Sequence, residues 1–266
     1  MDTHTDQLSA EQRHLDHAHT CLEAMRARTA EAVADAEAVV RMGGGADADI
    51  ILQHLEARLA ALAETPASLC FGRLDADDER LYVGRRHVED GAGDPVVVDW
   101  RARASTPFYR ATWADPMGLL LRRRFMVDRH RLVDLFDEDF TDGNGHGGGG
   151  LPDPLLAELE RARTGEMRDI VATIQAEQDA VIRAPLSETV IVQGGPGTGK
   201  TAVGLHRAAF LLYEHRDLLE RRRVLVIGPK PGLPAVHRLR SSVSRGDLGG
   251  ASHHRVAHGR ALSGHC

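Results

Sequence analysis

The sequence predicts an α/β chain: an antiparallel helical hairpin and a small, mainly antiparallel β module lead into the first part of a parallel-sheet domain. Three observations point to that class. Apolar residues recur every seven positions near the N-terminus; the period shortens to strand-like runs between Pro66 and Phe140; and after a glycine-rich stretch a β-branched run, a glycine turn, an amphipathic helix and another apolar run follow in order. The boundaries read from these shifts are 1–65 for the hairpin, 66–142 for the β module, 143–151 for a Gly-rich linker, 152–229 for the first part of the α/β domain and 230–266 for an off-pattern tail.

The hairpin rests on two rows. Leu8, Leu15, Leu22, Thr29 and Ala36 are spaced by seven, and Ala18, Met25, Ala32 and Val39 form a second row beside them, so one narrow apolar seam runs along a long helix. Gly43-Gly44-Gly45 ends it, and helical spacing resumes from Ala46 to Glu64 through Ile51, Leu55, Leu59 and Leu62. With 12 acids against 5 arginines over residues 1–65, the hairpin reads either as a solvated coiled coil or as an arm that reaches a partner protein.

Short apolar runs at Leu69–Phe71, Leu81–Val83, Pro95–Trp100, Leu119–Leu121 and Leu132–Phe136, separated by Asp-, Gly- and Pro-rich turns, predict the β module. Thr141 to Gly150 holds six glycines in ten residues, a composition suited to a linker or loop tip. Beyond it, helices are expected from Asp153-Pro154 to about Arg163 and from Glu166 to Arg183. Thr189-Val190-Ile191-Val192-Gln193 then reads as a buried parallel strand, Thr201 to His215 as a helix, and Val224-Leu225-Val226-Ile227 as the next strand, together a βαβ unit.

Composition narrows the classes further. The 266 residues are 42% hydrophobic and 27% charged, a globular balance that excludes wholesale disorder. No apolar run reaches the ~18–20 residues a bilayer requires, and Met1-Asp2-Thr3-His4 lacks the layout of a secretory signal. Cys21, Cys70 and Cys266 show no metal-ligand spacing and suit a reducing, cytoplasmic setting without a disulfide framework. A net charge of −6 argues against a whole-surface polyanion binder. Of 33 basic residues only Lys200 and Lys230 are lysine, which singles out Lys200.

Gly194-Gly195-Pro196-Gly197-Thr198-Gly199-Lys200-Thr201 satisfies G-x-x-x-x-G-K-[ST] at every position, between an expected strand and an expected helix. The glycines allow a backbone that turns successive N–H groups inward as a nest for phosphate oxygens. The helix N-terminus favours a polyanion. Lys200 supplies a compact ammonium for the β- and γ-phosphates, and the Thr201 hydroxyl is suited to a Mg²⁺ that bridges them. Gln178 lies sixteen residues before Gly194. On most helices a glutamine is a surface residue, but beside a phosphate loop its carboxamide can match the donor–acceptor edge of adenine.

The stretch from Arg168-Asp169-Ile170-Val171 through Gln178 and the phosphate loop to Leu205-His206-Arg207-Ala208-Ala209-Phe210-Leu211-Leu212-Tyr213 resembles a superfamily-one helicase-type motor. It is closest to the HelD-like group of bacterial ATPases that bind and recycle RNA polymerase. Cys70-Phe71-Gly72-Arg73-Leu74-Asp75, Tyr82-Val83-Gly84-Arg85, Val98-Asp99-Trp100-Arg101-Ala102 and Pro107-Phe108-Tyr109-Arg110-Ala111-Thr112 are similar to that group's N-terminal region. The pairing of Asp99-Trp100-Arg101 with Pro107-Phe108-Tyr109 narrows the match, which spans most of residues 5–229. Arg103 departs from it where proline is expected. The resemblance implies a RecA-like nucleotide domain, ATP with Mg²⁺ as cofactor, Gln178 on adenine, and a hairpin that docks into RNA polymerase, with nucleic acid a partner of full-length members and no membrane association.

No apolar strand ending in Asp-Glu follows Lys200, and no second motor domain supplies an arginine, so no catalytic residue is assigned. Residues 230–266 hold six basic residues, one acid (Asp247) and five histidines without apolar periodicity, which reads as an out-of-frame end to a truncated gene in preference to a basic tail for nucleic acid or metal. The expectation is an ATP-binding, hydrolysis-deficient N-terminal portion of a helicase-like ATPase that remodels RNA polymerase complexes. The alternatives are a non-catalytic polymerase-binding protein with a vestigial nucleotide site and a small P-loop kinase, for which the tail offers no lid.

Overall fold

The structure, a computed structural model, describes residues 3–63, 68–77, 79–128, 130–141, 171–195, 198–222 and 224–225. The Gly-rich linker 143–151, the expected helix from Asp153, the first part of the helix expected from Glu166, Pro196, Gly197, Val226, Ile227 and the tail 230–266 lie outside the described residues.

Helix α1 runs Thr3–Arg41 and α2 Ala46–Ala63. The turn between them closes through Gly43 N–H to the Val40 carbonyl and Gly44 N–H to the Val39 carbonyl. Gly43 takes φ +89°, the left-handed conformation that ends helices and that a side chain would strain. The expected hairpin is therefore present with its glycine turn in place. Its seam, however, faces more than its partner helix. Leu15, Ala18, Leu22 and Met25 pack with Leu62 of α2, but also with Cys70, Val88, Val97, Phe125, Leu132 and Leu135 of the sheet. The first half of α1 thus lies on the β module as well as on α2. The physical reason is that one seam can cover two surfaces when the sheet also needs a lid. Farther along, the seam opens to solvent: Val39, Met42, Ile50 and Ile51 at the turn end are exposed, Met42 by 80%.

The sheet contains β1 Cys70–Asp75, β2 Arg80–Gly84, β3 Val88–Glu89, β4 Pro95–Asp99, β5 Leu121–Asp128 and β6 Arg131–Asp139. Its strand order is β3-β4-β2-β1-β5-β6. All pairs are antiparallel except β2 with β4, which run parallel with Val83 opposite Val98. The module is thus a mixed sheet. The run expected at Leu119–Leu121 marks only the start of β5, which continues through Arg122-Arg123-Arg124 because each arginine finds a partner on one face or the other. A short helix, α3 (Thr106–Arg110), follows a 3-10 turn at Arg103–Ser105.

Period-two alternation, shifted once by a bulge between Cys70 and Gly72 in β1, sends the two faces of the sheet to different layers. One face carries Tyr82, Phe125 and Val127 to the hairpin. The other carries Phe71, Leu74 and Val83 to Trp100, Phe108 and Tyr109, and onward to Ile174, Ile182, Val203 and Phe210. The last four residues belong to the C-terminal helices and the segment before them: α4 Ala176–Ile182, α5 Lys200–Glu214 and α6 Arg216–Arg222. Gly72 allows the close approach of Phe108, since a Cβ there would sit 2.3 Å from the Phe108 ring and 2.7 Å from the Arg123 carbonyl oxygen.

The parallel strands expected on either side of the glycine loop are not formed among the described residues. Thr189–Gln193 is irregular chain with Ile191 exposed by 80%, and Leu225 is exposed by 83%. A doubly buried strand needs a neighbour on each side; none of the described strands pairs with these residues, and Ile191 and Leu225 face outward.

Candidate nucleotide site and its connection to the β module

The glycine loop leads directly into α5, whose N-cap is Gly199 at φ +79°. That conformation suits only a residue without Cβ at little cost and turns the chain into the helix. Lys200 begins the helix, and its ammonium folds back over the loop, donating to the Gly194 carbonyl at 2.8 Å and to the Gly195 carbonyl. Thr198 Oγ1 donates to the Gly195 carbonyl at 2.9 Å. Gly194, Gly195 and Thr198 are exposed, and Thr201 is exposed at the start of the helix. The described loop residues Gly194, Gly195 and Thr198 therefore face solvent, and Lys200 folds back onto two of their carbonyls.

Gln178 is the third residue of α4 and part of a capping box with Gln175, whose N–H donates to Gln178 Oε1 at 3.3 Å. Its Nε2 lies 3.8 Å from where a Gly199 Cβ would sit. The structure thus brings Gln178 to the loop, as their separation of about twenty residues in sequence could not by itself guarantee. The same carboxamide is already a helix cap, so its free polar capacity is mainly the NH₂ group. Among the described residues no group of three or more His, Cys, Asp or Glu is placed to hold a metal.

Below the loop, α4 and α5 are tied together by arginine. Arg207 of α5 donates to the carbonyls of Val181 at 3.0 Å and Ala184 at 2.6 Å, satisfying the open C-terminal end of α4. Arg183 Nε meets Asp179 Oδ1 at 2.8 Å, and its two terminal nitrogens donate to the carbonyls of Trp100 at 2.6 Å and Arg101 at 3.1 Å. The same guanidinium lies over the rings of Phe210 and Tyr109. Asp179 is fully buried, and burial pushes its carboxyl above the ordinary aspartate value against the pull of Arg183.

The Asp99-Trp100-Arg101 turn is built to receive these contacts. Asp99 accepts from the Arg101 N–H and Nε, both at 2.8 Å, and from Nη2 at 2.5 Å, while Ser105 Oγ donates to the Asp99 carbonyl at 2.8 Å. Arg101 stacks over Tyr213 at 4.8 Å, and Trp100 meets His206 edge-on at 5.6 Å. A cavity of about 680 Å³ opens beside this junction, lined in part by Arg103, Arg110, Arg183, Phe210 and Glu214. Two of its arginines are already committed, Arg183 to Asp179 and the carbonyls, Arg103 to Glu214.

On the opposite face of the sheet stands an ionic cluster that sequence reasoning missed. Glu11 of α1, 2% exposed, accepts from Arg73, from Arg123 Nη1 at 2.8 Å and from the Tyr82 hydroxyl at 3.0 Å. Register explains the convergence: Arg73 is opposite Tyr82 on one side and Arg123 on the other, and Arg123 is opposite Asp137. The row crosses four strands on one face, and Glu11 sits over it. Burial and the Glu11 charge push the Tyr82 hydroxyl up to about 12. A signal existed: Glu11 stands one heptad before Ala18, a charged residue in an otherwise apolar row.

A helical hairpin lies on one face of a mixed sheet, and a helix that begins at a G-x-x-x-x-G-K-T sequence packs on the other. Residues 8–149 match the family described as DNA helicase IV HelD, N-terminal domain, and cover more than half of the chain. The chain belongs to that family. No curated protein matches it. Among the described residues, no helix is long and apolar enough to cross a membrane.

Proposed function

We propose that this chain is the ATP-binding N-terminal portion of a helicase-like ATPase that binds and remodels RNA polymerase complexes on nucleic acid, its C-terminal part being the beginning of a RecA-like domain. The observation that carries this reading is the meeting of Gln178 with a complete G-x-x-x-x-G-K-T loop at the start of α5. In this reading the backbone amides of the loop that runs from Gly194 to Lys200 hold the phosphates. Lys200 exchanges its two loop carbonyls for phosphate oxygens, a substitution favoured because an anionic acceptor attracts the ammonium more strongly than a neutral carbonyl does. Thr201 offers its hydroxyl to Mg²⁺, and Gln178 turns its NH₂ to adenine. ATP with Mg²⁺ supplies the free energy of phosphoanhydride hydrolysis to motors of this kind. The exposed end of the hairpin, acidic at Asp35, Glu37, Asp47 and Asp49 and apolar at Val39, Met42, Ile50 and Ile51, is the surface that meets the polymerase.

A titration with a fluorescent ATP analogue and Mg²⁺ tests the nucleotide site. Lys200→Ala should weaken binding about 10- to 100-fold, the loss of one charge-assisted bond of about 1.5–3 kcal/mol. Equal binding by the variant, or none by the parent at millimolar ATP, refutes the reading. A second reading, a non-catalytic polymerase-binding protein with a vestigial nucleotide site, is favoured by the closure of Lys200 onto Gly194 and Gly195. It expects polymerase capture that neither ATP nor Lys200→Ala alters.

A further inference from the structure

We propose that Arg183 is the positioning residue through which occupancy of the Gln178–phosphate-loop site is felt by the β module; the inference rests on the nucleotide reading above. Gln178 is in the first turn of the short helix α4 and Arg183 caps its C-terminal end, five residues on and about 7.5 Å along the axis. One end of α4 meets the loop at Gly199. The other end is held by one guanidinium that joins four elements: Asp179 on α4 itself, the Trp100 and Arg101 carbonyls after β4, Tyr109 of α3 and Phe210 of α5.

The arrangement is stiff where it would need to be. Asp179 and Ile182 are fully buried, and Arg207 locks the end of α4 to α5. A shift of Gln178 toward a bound base therefore cannot be absorbed within the seven-residue helix. It reaches the Trp100 turn, whose strand β4 pairs with β2 and carries Val97 beneath the hairpin. Asp179 Oδ2 is buried without a hydrogen-bond partner. The junction therefore holds one unsatisfied buried acceptor. Interfaces of this kind change between discrete arrangements rather than deforming smoothly.

Hydrogen exchange on the full chain, with and without ATP and Mg²⁺, tests the assignment. ATP should slow exchange of the amides of residues 100–106 by about threefold or more in the parent chain. Arg183→Gln should bind the fluorescent ATP analogue within about threefold of the parent yet lose that slowing. Arg183→Lys keeps a cation beside Asp179 but cannot span carboxylate and carbonyls together. It should behave the same way, and it carries the test if Arg183→Gln does not fold. If the parent binds ATP and exchange at 100–106 is unchanged, or if both variants retain the slowing, the Arg183 assignment is overturned while the nucleotide site stands. If the parent does not bind ATP, the nucleotide reading falls and this inference with it.

Discussion

Replacing Glu11 with alanine removes the acceptor shared by Arg73, Arg123 and the Tyr82 hydroxyl at a site with 2% exposure. Breaking a buried ion pair from one side costs about 3–5 kcal/mol, because the partner charge stays behind in a low-dielectric setting. Here both guanidiniums retain a second carboxylate: Arg73 keeps Asp75 at 2.7 Å, and Arg123 keeps Asp137 through two bonds of 2.6 Å. That places the loss near the lower end, at about 3 kcal/mol. For a chain of this size such a loss lowers the melting temperature by about 6–12 °C. Urea titrations followed by tryptophan fluorescence, with Trp100 buried and Trp113 exposed, and by helical circular dichroism measure it, and both signals should move together because α1 is lost with the sheet it covers. Glu11→Gln should cost less, since it keeps the shape and can still accept from Tyr82. A change below about 1 kcal/mol for Glu11→Ala would show that the cluster contributes no more than a surface pair, and would refute the argument.

Three further outcomes follow from local geometry. Burial lowers the pKa of His14, whose ring stacks on Tyr82 at 3.3 Å and whose Nε2 meets the Val96 carbonyl, against the upward pull of that bond and of Glu11. The unfolded chain therefore binds the proton first as pH falls below 6.5, and stability is lost from there down to the depressed folded value. His14→Phe should flatten the dependence of the urea midpoint on pH in that window, and an unchanged slope would count against the assignment. Gly72→Ala should destabilise the chain by about 1–3 kcal/mol in the same urea assay, because Phe108 and the Arg123 carbonyl already fill the space; a neutral effect would contradict the packing. Burial pushes the Cys70 thiol up to about 12, so peptide mapping after iodoacetamide treatment should find Cys70 unmodified in the native chain and modified in urea. Rapid native labelling would mean that the sheet opens.

The parts of the fold legible in sequence are those with short-range causes. The hairpin's seam and its Gly43 turn needed only the heptad spacing and a residue that tolerates positive φ. The glycine loop and the helix it opens are adjacent in the chain. The β module was legible as strands but not as a sheet. The alternation of Arg122, Arg123 and Arg124 between two faces acquires meaning only when Glu138 and Asp137 come up on β6 and Glu11 comes down from α1. Likewise Gln178 could be singled out by its distance from the loop, whereas Asp179 and Arg183, in and just beyond the same helix, had no visible role until the Trp100 turn lay against them.

Local sequence alone determined that this chain would make a long hairpin, several short strands and a helix opened by a glycine, because helical period, glycine conformation and β-branching act within a few residues. Tertiary structure decided the rest: that the hairpin's seam would lie partly on a sheet, that β4 would run parallel to β2, and that one arginine would join the loop's helices to the Trp100 turn. Those outcomes depend on pairings across tens of residues, where burying one charge or one face requires a specific distant partner, and no local pattern specifies which partner that is.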